Sequence, residues 1–312
     1  MKSKRVIFND YITGRREVHG FNDLRQILDT YQSSPQAQLA ERKHKFINRQ
    51  AGFASRYPKL FHCTSQDALI SIIKSRRFRL SNLENVNDLE EIKRINDLRL
   101  RDKVFVGCFT YEPKINPAHW REYARGSQIK DRPNGVLFSV QQKWFSKNII
   151  NVFDAQGKEL NIKVYPSREE MPCIHVGENA NNGQFYVTNN DFFGVHYKRG
   201  GLKVNEIADD YDVSVFEIAG IMKNKAGKCT SRDGKIYHKK WYQEKEIRLK
   251  VMISKEPFVE TKLPFSRIEI QLTDDAFNEF DISFQPNTLE NEKEAFIYEL
   301  RQLLPESRIH IF

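Results

Sequence analysis

Apolar residues recur along this chain with two different periods, and the places where the period changes divide it into elements. Val6, Ile7 and Phe8 open as a short strand. From about Phe21, the positions Leu24, Ile27, Leu28 and Tyr31 repeat at i, i+3, i+4 and i+7, which is one face of a helix running towards Phe53. Arg42, Lys43, Lys45, Arg49 and Arg56 make its second half positive, either a partner-facing surface or a solvated helix face. Tyr57-Pro58 closes this stretch, so residues 1–56 are expected to form an N-terminal helical appendage and 57–312 the main domain.

In the main domain the period shortens to two. Leu60, His62 and Thr64 share one face of a strand. Gln66 to Arg77 then reads as a helix with Leu69, Ile72 and Ile73 on its buried stripe, and Phe78 to Leu80 as a short strand. Asn87-Asp88 stands where an N-cap is needed for an acidic helix from Leu89 to Leu100. Further strands are expected at Val104–Thr110, Val136–Val140, Asn161–Tyr165, Val213–Ile218 and Glu246–Ile253. His119 to Ala124 reads as a helical turn, and Thr288 to Leu304 as a helix with Phe296, Ile297, Leu300, Leu303 and Leu304 along one stripe. Residues 177–201 are rich in Asn and Gly with aromatics interleaved, which predicts a long loop or insertion. Strands outnumber helices and are joined mostly by loops, so the pattern predicts an α+β fold and argues against parallel βαβ winding.

Composition narrows the function classes. No apolar run approaches the roughly 18 residues of a membrane span, and the charged N-terminus MKSKRVIFNDYITGRREV does not read as a secretory signal. A cytoplasmic location without membrane association is the expectation. Four scattered cysteines, Cys63, Cys108, Cys173 and Cys229, have no C-x-x-C spacing, so neither a disulfide framework nor a metal site is expected. The net charge of +9, from 50 basic and 41 acidic residues, suits either an anionic partner such as nucleic acid or a surface kept soluble by charge.

Three groups of residues have chemical potential. Ile247, Leu249, Val251 and Ile253 alternate with Glu246, Arg248 and Lys250, which puts Glu246 and Arg248 on one face of a strand. A carboxylate fixed on a strand beside an arginine can steady a developing positive charge, and a solvent-facing ion pair is the alternative. Trp120 and Tyr123, three apart, share a helix face that can stack a planar ring or pack into the core. His62 stands at a strand-to-helix junction beside Thr64, a place for a ligand-holding histidine or for a structural one.

The segments FHCTS at 61, SNLENVNDLE at 81, WREYA at 120, GVLF at 135, IKVY at 162 and WYQEKEIR at 241 occur in a telling order. Over residues 58–270 the chain resembles a bacterial family of domains of unknown function with the pattern [FY]-H-Y-T-S, S-N-x-x-x-x-N-D-x-x-E, W-x-x-Y-A and W-x-x-E-x-E-x-R. Cys63 replaces that family's tyrosine and Leu89 its proline. The family in turn resembles the ADP-ribosyltransferases. The resemblance implies two small, mostly antiparallel sheets around a cleft for NAD, with peripheral helices. His62 and Thr64 would hold NAD ribose, and Trp120 or Tyr123 would flank nicotinamide; by their own chemistry Asn87 and Asp88 can hydrogen-bond a ribose or cap the helix that follows. Glu246, or alternatively Glu244, would be the catalytic carboxylate, with Arg248 on a phosphate or on the glutamate. The resemblance also implies a toxin or phage-defence effector that consumes NAD, with an antitoxin or activator protein as partner. The basic charge points to RNA as acceptor. A non-catalytic nucleotide- or RNA-binding sensor is the rival expectation.

Overall fold

The computed structural model describes residues 6–10, 14–18, 46–86, 101–124, 134–171, 184–198, 219–230, 236–256 and 262–312. Val6–Asp10 (β1) and Gly14–Val18 (β2) form an antiparallel hairpin. Residues 46–54 are helical. The main sheet is built from Lys59–Ser65 (β3), Arg77–Asn82 (β4), Val104–Thr110 (β5), Gly135–Gln141 (β6), Phe145–Phe153 (β7), Glu159–Leu160 (β8), Val164–Tyr165 (β9) and Gln184–Gly194 (β10). His196–Lys198 (β11), Met222–Asn224 (β12), Gly227–Thr230 (β13) and Ile236–Lys239 (β14) make two small ribbons. Glu246–Glu256 (β15), Arg267–Leu272 (β16), Glu279–Phe284 (β17) and Arg308–Ile311 (β18) complete the main sheet. Its helices are Gln66–Ser75 (α1), Pro117–Tyr123 (α2) and Glu290–Leu303 (α3).

The molecule is thus mixed and strand-rich, with one 12-stranded, largely antiparallel sheet where two small sheets are implied by the resemblance. The continuity comes from β5. One edge of β5 pairs with β15 along seven residues, Glu246↔Thr110 to Met252↔Val104. Its other edge is shared: β3 pairs at Phe61↔Thr110 and β4 at Ser81↔Val106 and Asn82↔Phe105. Helix α1, between β3 and β4 in sequence, carries the chain from one arm to the other. Gly107 lies opposite Leu249 in this stretch, and a Cβ there would come within 2.5 Å of Leu80 Cδ2. Its lack of a side chain lets the two arms close on β5.

The local signals for these elements are conventional. Ser65 caps α1, its hydroxyl accepting from the Ala68 N–H, and Arg76 ends it in a left-handed conformation, φ 54°. Asn116 caps α2 in the same way, followed by Pro117 at the first turn. Leu69, Ile70 and Ile73 are the buried residues of α1, so the apolar stripe is rotated by one position from the expected one and Ile72 is only half-buried.

Both faces of the central strands are covered. Leu249, Val251 and Ile253 of β15 belong to the principal core with Phe105, Phe138, Trp144 and Ile270. On the opposite face, Met252 packs with Phe46, Leu83, Val106, Phe193 and Ile221. Phe46 and Ala54 of the helical segment 46–54 are buried in these two cores, so this part of the expected appendage is integral to the main domain. The expected insertion is also partly sheet: β10 pairs with β15 along nearly its whole length, and Phe185, Phe192 and Phe193 are core residues. The polar run Thr188 to Asp191 and a register shift after Val187 separate its two aromatic pairs, so no strand period shows in the sequence. The expected elements at 21–45, 89–100 and 213–218 lie outside the described residues.

Candidate functional site

The forked edge of β5 creates the site. Between the pairings with β3 and β4, Gly107, Cys108 and Phe109 have no strand neighbour on that side within the registers of the sheet. The Cys108 carbonyl is met instead by a side chain, His62 Nδ1 of β3, at 3.0 Å. A carbonyl can only accept, so Nδ1 carries the hydrogen and Nε2 is the bare nitrogen of a neutral ring. The His62 ring lies against Phe78, Phe109 and Phe138, with centroids 5.0, 5.5 and 5.7 Å away. Burial in these aromatics lowers its pKa to about 4, against the bond to Cys108 that raises it.

From β15 and the short turn Trp241–Glu244 preceding it come the carboxylates. Lys245 between them adopts the left-handed conformation, φ 51°. Glu244 and Glu246 are each 4% exposed. Glu244 Oε1 accepts from Tyr123 Oη at 2.8 Å and Oε2 from Lys223 Nζ at 2.9 Å. Glu246 Oε2 accepts from the same ammonium at 3.0 Å, and Oε1 from Arg248 Nε at 2.7 Å. Arg248 Nη1 also donates to the Gly220 carbonyl at 2.9 Å. Among the described residues, two carboxylates and two cations therefore form a buried tetrad whose charges balance. The alternative of a solvent-facing ion pair does not hold, since Arg248 is 1% exposed.

The electrostatics follow from this packing. Burial alone would raise the Glu246 carboxyl, but Arg248 and Lys223 outweigh it and hold the group well below the usual carboxylate range. Burial likewise opposes the Lys223 ammonium, and Glu244 and Glu246 reverse it, leaving the lysine firmly protonated. Burial, reinforced by Glu246, pushes the Tyr197 phenol well up. Burial raises both the Cys63 and the Cys108 thiols, so neither is an activated nucleophile.

These groups converge on a cavity of about 50 Å³ lined by Phe61, His62, Cys63, Cys108, Phe109, Thr110, His119, Tyr123, Glu244 and Glu246. It has room for a few water molecules, against the several hundred Å³ of an ordinary ligand cleft. His62, Tyr123, Glu244 and Glu246 of the expected set are thus brought together. Arg248 is not a lining residue and braces Glu246, which favours its glutamate role over a phosphate role. Trp120 is 6% exposed and packs with Phe61, Cys63, Ala124 and Leu137, the core alternative for this residue. Thr64 pairs with Val136 across β6 and does not line the cavity. Asn87 lies outside the described residues.

Four participants carried no usable sequence signal. Lys223 is one lysine in a polar stretch, on a strand of three residues. Tyr197 reads as a loop aromatic, yet its hydroxyl accepts the Glu246 N–H at 3.3 Å. Cys108 reads as a core residue of β5. His119 sits one turn ahead of Tyr123, rings 4.7 Å apart, and only the helix bounds place it at the cavity. No metal-binding cluster is formed among the described residues, and none of their helices is long and apolar enough to cross a membrane. No protein-family model, curated protein or solved structure matches the chain.

Proposed function

We propose that the chain is an NAD-dependent ADP-ribosyltransferase that acts as a toxin or phage-defence effector, with RNA as its acceptor. The observation that carries this reading is the convergence at the β5 fork. His62 and the Glu244–Glu246 pair, far apart in sequence, line one cavity together with Tyr123. Breaking the glycosidic bond of NAD sends its electron pair to nicotinamide and leaves positive charge on the ribosyl carbon. The acceptor's nucleophile then bonds to that carbon and gives up its proton. A carboxylate that stays ionised in a dry site suits such a centre as a fixed charge, and Glu246 has that character. Tyr123 donates to Glu244 with a neutral hydroxyl, so Glu244 is the carboxylate whose partner a substrate exchanges most readily.

The lining residues fit the ribosyl end of NAD and not its diphosphate: no lysine or arginine is among them within the described residues. The cavity must also widen to admit a nucleotide. The pairing of every Glu244 and Glu246 carboxylate oxygen with a protein donor favours, as a second reading, a non-catalytic nucleotide- or RNA-binding sensor, in which the tetrad is structural and the nucleotide binds elsewhere.

The test is incubation of the purified protein with NAD labelled in its adenylate phosphate and separate pools of RNA, DNA and protein. Wild type is expected to label RNA, and Glu246→Gln to lose roughly 100-fold or more of that rate while remaining folded. Glu244→Gln should lose less. Label in the protein pool would overturn the choice of acceptor. Intact NAD in every pool with folded protein would overturn the transferase reading in favour of the sensor.

A further inference from the structure

We infer that Lys223 is a positioning residue for the two carboxylates, and that the β11–β12 ribbon exists at this place in the fold to deliver it. The inference rests on the proposed function only in naming the cavity as a reacting site. The arrangement itself is independent of the reaction.

The ribbon is tied to the start of β15 at several points. Its strands run parallel, with Tyr197 directly opposite Lys223, and both residues reach Glu246, one by hydroxyl and one by ammonium. The Val195 N–H donates to the Glu246 carbonyl at 3.1 Å, and the His196 N–H to the Ile221 carbonyl at 2.9 Å. Gly220, whose carbonyl holds Arg248, sits just ahead of β12 at φ 80°. A Cβ there would stand 3.1 Å from Val106. The turn before β12 therefore both orients Arg248 and aims Lys223.

Lys223 is the cation that the two carboxylates share. Arg248, from β15 itself, is committed to Glu246 and to a carbonyl. Tyr123 from α2 meets Glu244 with an uncharged hydroxyl. Tyr197 from β11 accepts from the Glu246 backbone, and Cys108 from β5 adds a weak hydrogen bond to its carboxylate. His62, already neutral, His119, Thr110 and Cys63 are the other polar side chains lining the cavity. Two carboxylates this close in a dry site cannot both stay ionised without a cation between them. Of the two cations bonded to the pair among the described residues, removing Lys223 leaves Arg248 alone, and the pair relieves this by holding a proton.

Carbon-13 NMR of protein labelled at the glutamate carboxyls reads this directly, with Glu244→Gln and Glu246→Gln to assign the signals. In wild type both carboxyls should remain ionised through the mildly acidic range. In Lys223→Met one of them should titrate roughly 3 pH units higher, and Lys223→Arg should restore most of the wild-type behaviour. If Lys223→Met does not fold, Lys223→Met/Glu244→Gln keeps the inference exposed. The double variant restores charge balance, so it should fold and melt above Lys223→Met. A double variant no more stable than the single one, or unchanged titration in folded Lys223→Met, would overturn the inference. Where transfer from NAD is measured, kcat of Lys223→Met should fall at neutral pH and recover as pH rises, with KM for NAD little changed. A chain with these titrations and no transfer would sink the proposed function and leave the role of Lys223 standing.

Discussion

Replacing His62 by Asn tests the fork at β5 most sharply. The asparagine δ-nitrogen stands close to where the histidine Nδ1 stands, so the bond to the Cys108 carbonyl survives while the titrating ring is gone. In the folded chain the ring has a pKa of about 4, against 6.5 for an unperturbed histidine. The folded pKa is the lower one, so the unfolded chain binds the extra proton and acid favours unfolding. The destabilisation begins as pH falls through the unfolded value and stops growing below the folded one. Integrated over that window, the histidine costs the folded state about 2 kcal/mol by pH 5 and about 3 kcal/mol by pH 4, relative to pH 7. Lost contacts with Phe78, Phe109 and Phe138 impose on the variant a fixed cost of about 1–3 kcal/mol at any pH. Urea unfolding of both proteins from pH 7 to pH 4 therefore has a definite expectation. Wild type is the more stable at pH 7, and its advantage shrinks by about 3 kcal/mol, reaching zero or reversing at the acid end. The carboxylates titrate in both proteins and cancel in the difference. A stability difference that stays constant with pH would refute a neutral, Nδ1-protonated His62 buried at the fork.

Two further substitutions probe the same region. Gly107→Ala places a methyl group 2.5 Å from Leu80 Cδ2 and close to Phe109 and Phe78, so thermal or denaturant unfolding should show a loss of about 1–3 kcal/mol. Tyr123→Phe removes the hydroxyl donated to Glu244. It should cost about 1–3 kcal/mol in unfolding measurements because the carboxylate loses a buried partner, while its bond from Lys223 remains.

The sequence carries its strands and helices well where packing follows one period. β3, β5, β6 and β15 and helices α1 and α3 lie within a few residues of where apolar spacing puts them. It is hard to read where no one period runs through a strand. β10 has adjacent aromatics at its two ends, Phe185-Tyr186 and Phe192-Phe193, with Thr188 to Asp191 between them and a register shift after Val187, so no one period runs through it and it reads as a loop. The site divides along the same line. Glu244, Glu246 and Tyr123 stand out because carboxylates and aromatics at fixed spacing are visible within one element. Arg248 is visible too, but its commitment to Glu246 depends on how close the turn at Gly220 comes. Lys223 and Tyr197 are invisible because their meaning lies in a parallel pairing between strands of three residues. Trp120, conspicuous as an aromatic, packs beneath α2 because β6 leaves a glycine, Gly135, against its ring.

The forked edge of β5 also sets a schedule for synthesis. Strand β5 and His62 emerge early, but β15 and the lysine ribbon come much later in the chain, and pairings this distant in sequence form late and slowly. A nascent chain that stops short of Glu244 has a histidine at an open strand edge and no acid to face it. The cavity is thus incomplete until most of the domain has been made, and a product truncated before Glu244 lacks its acidic wall for the same reason.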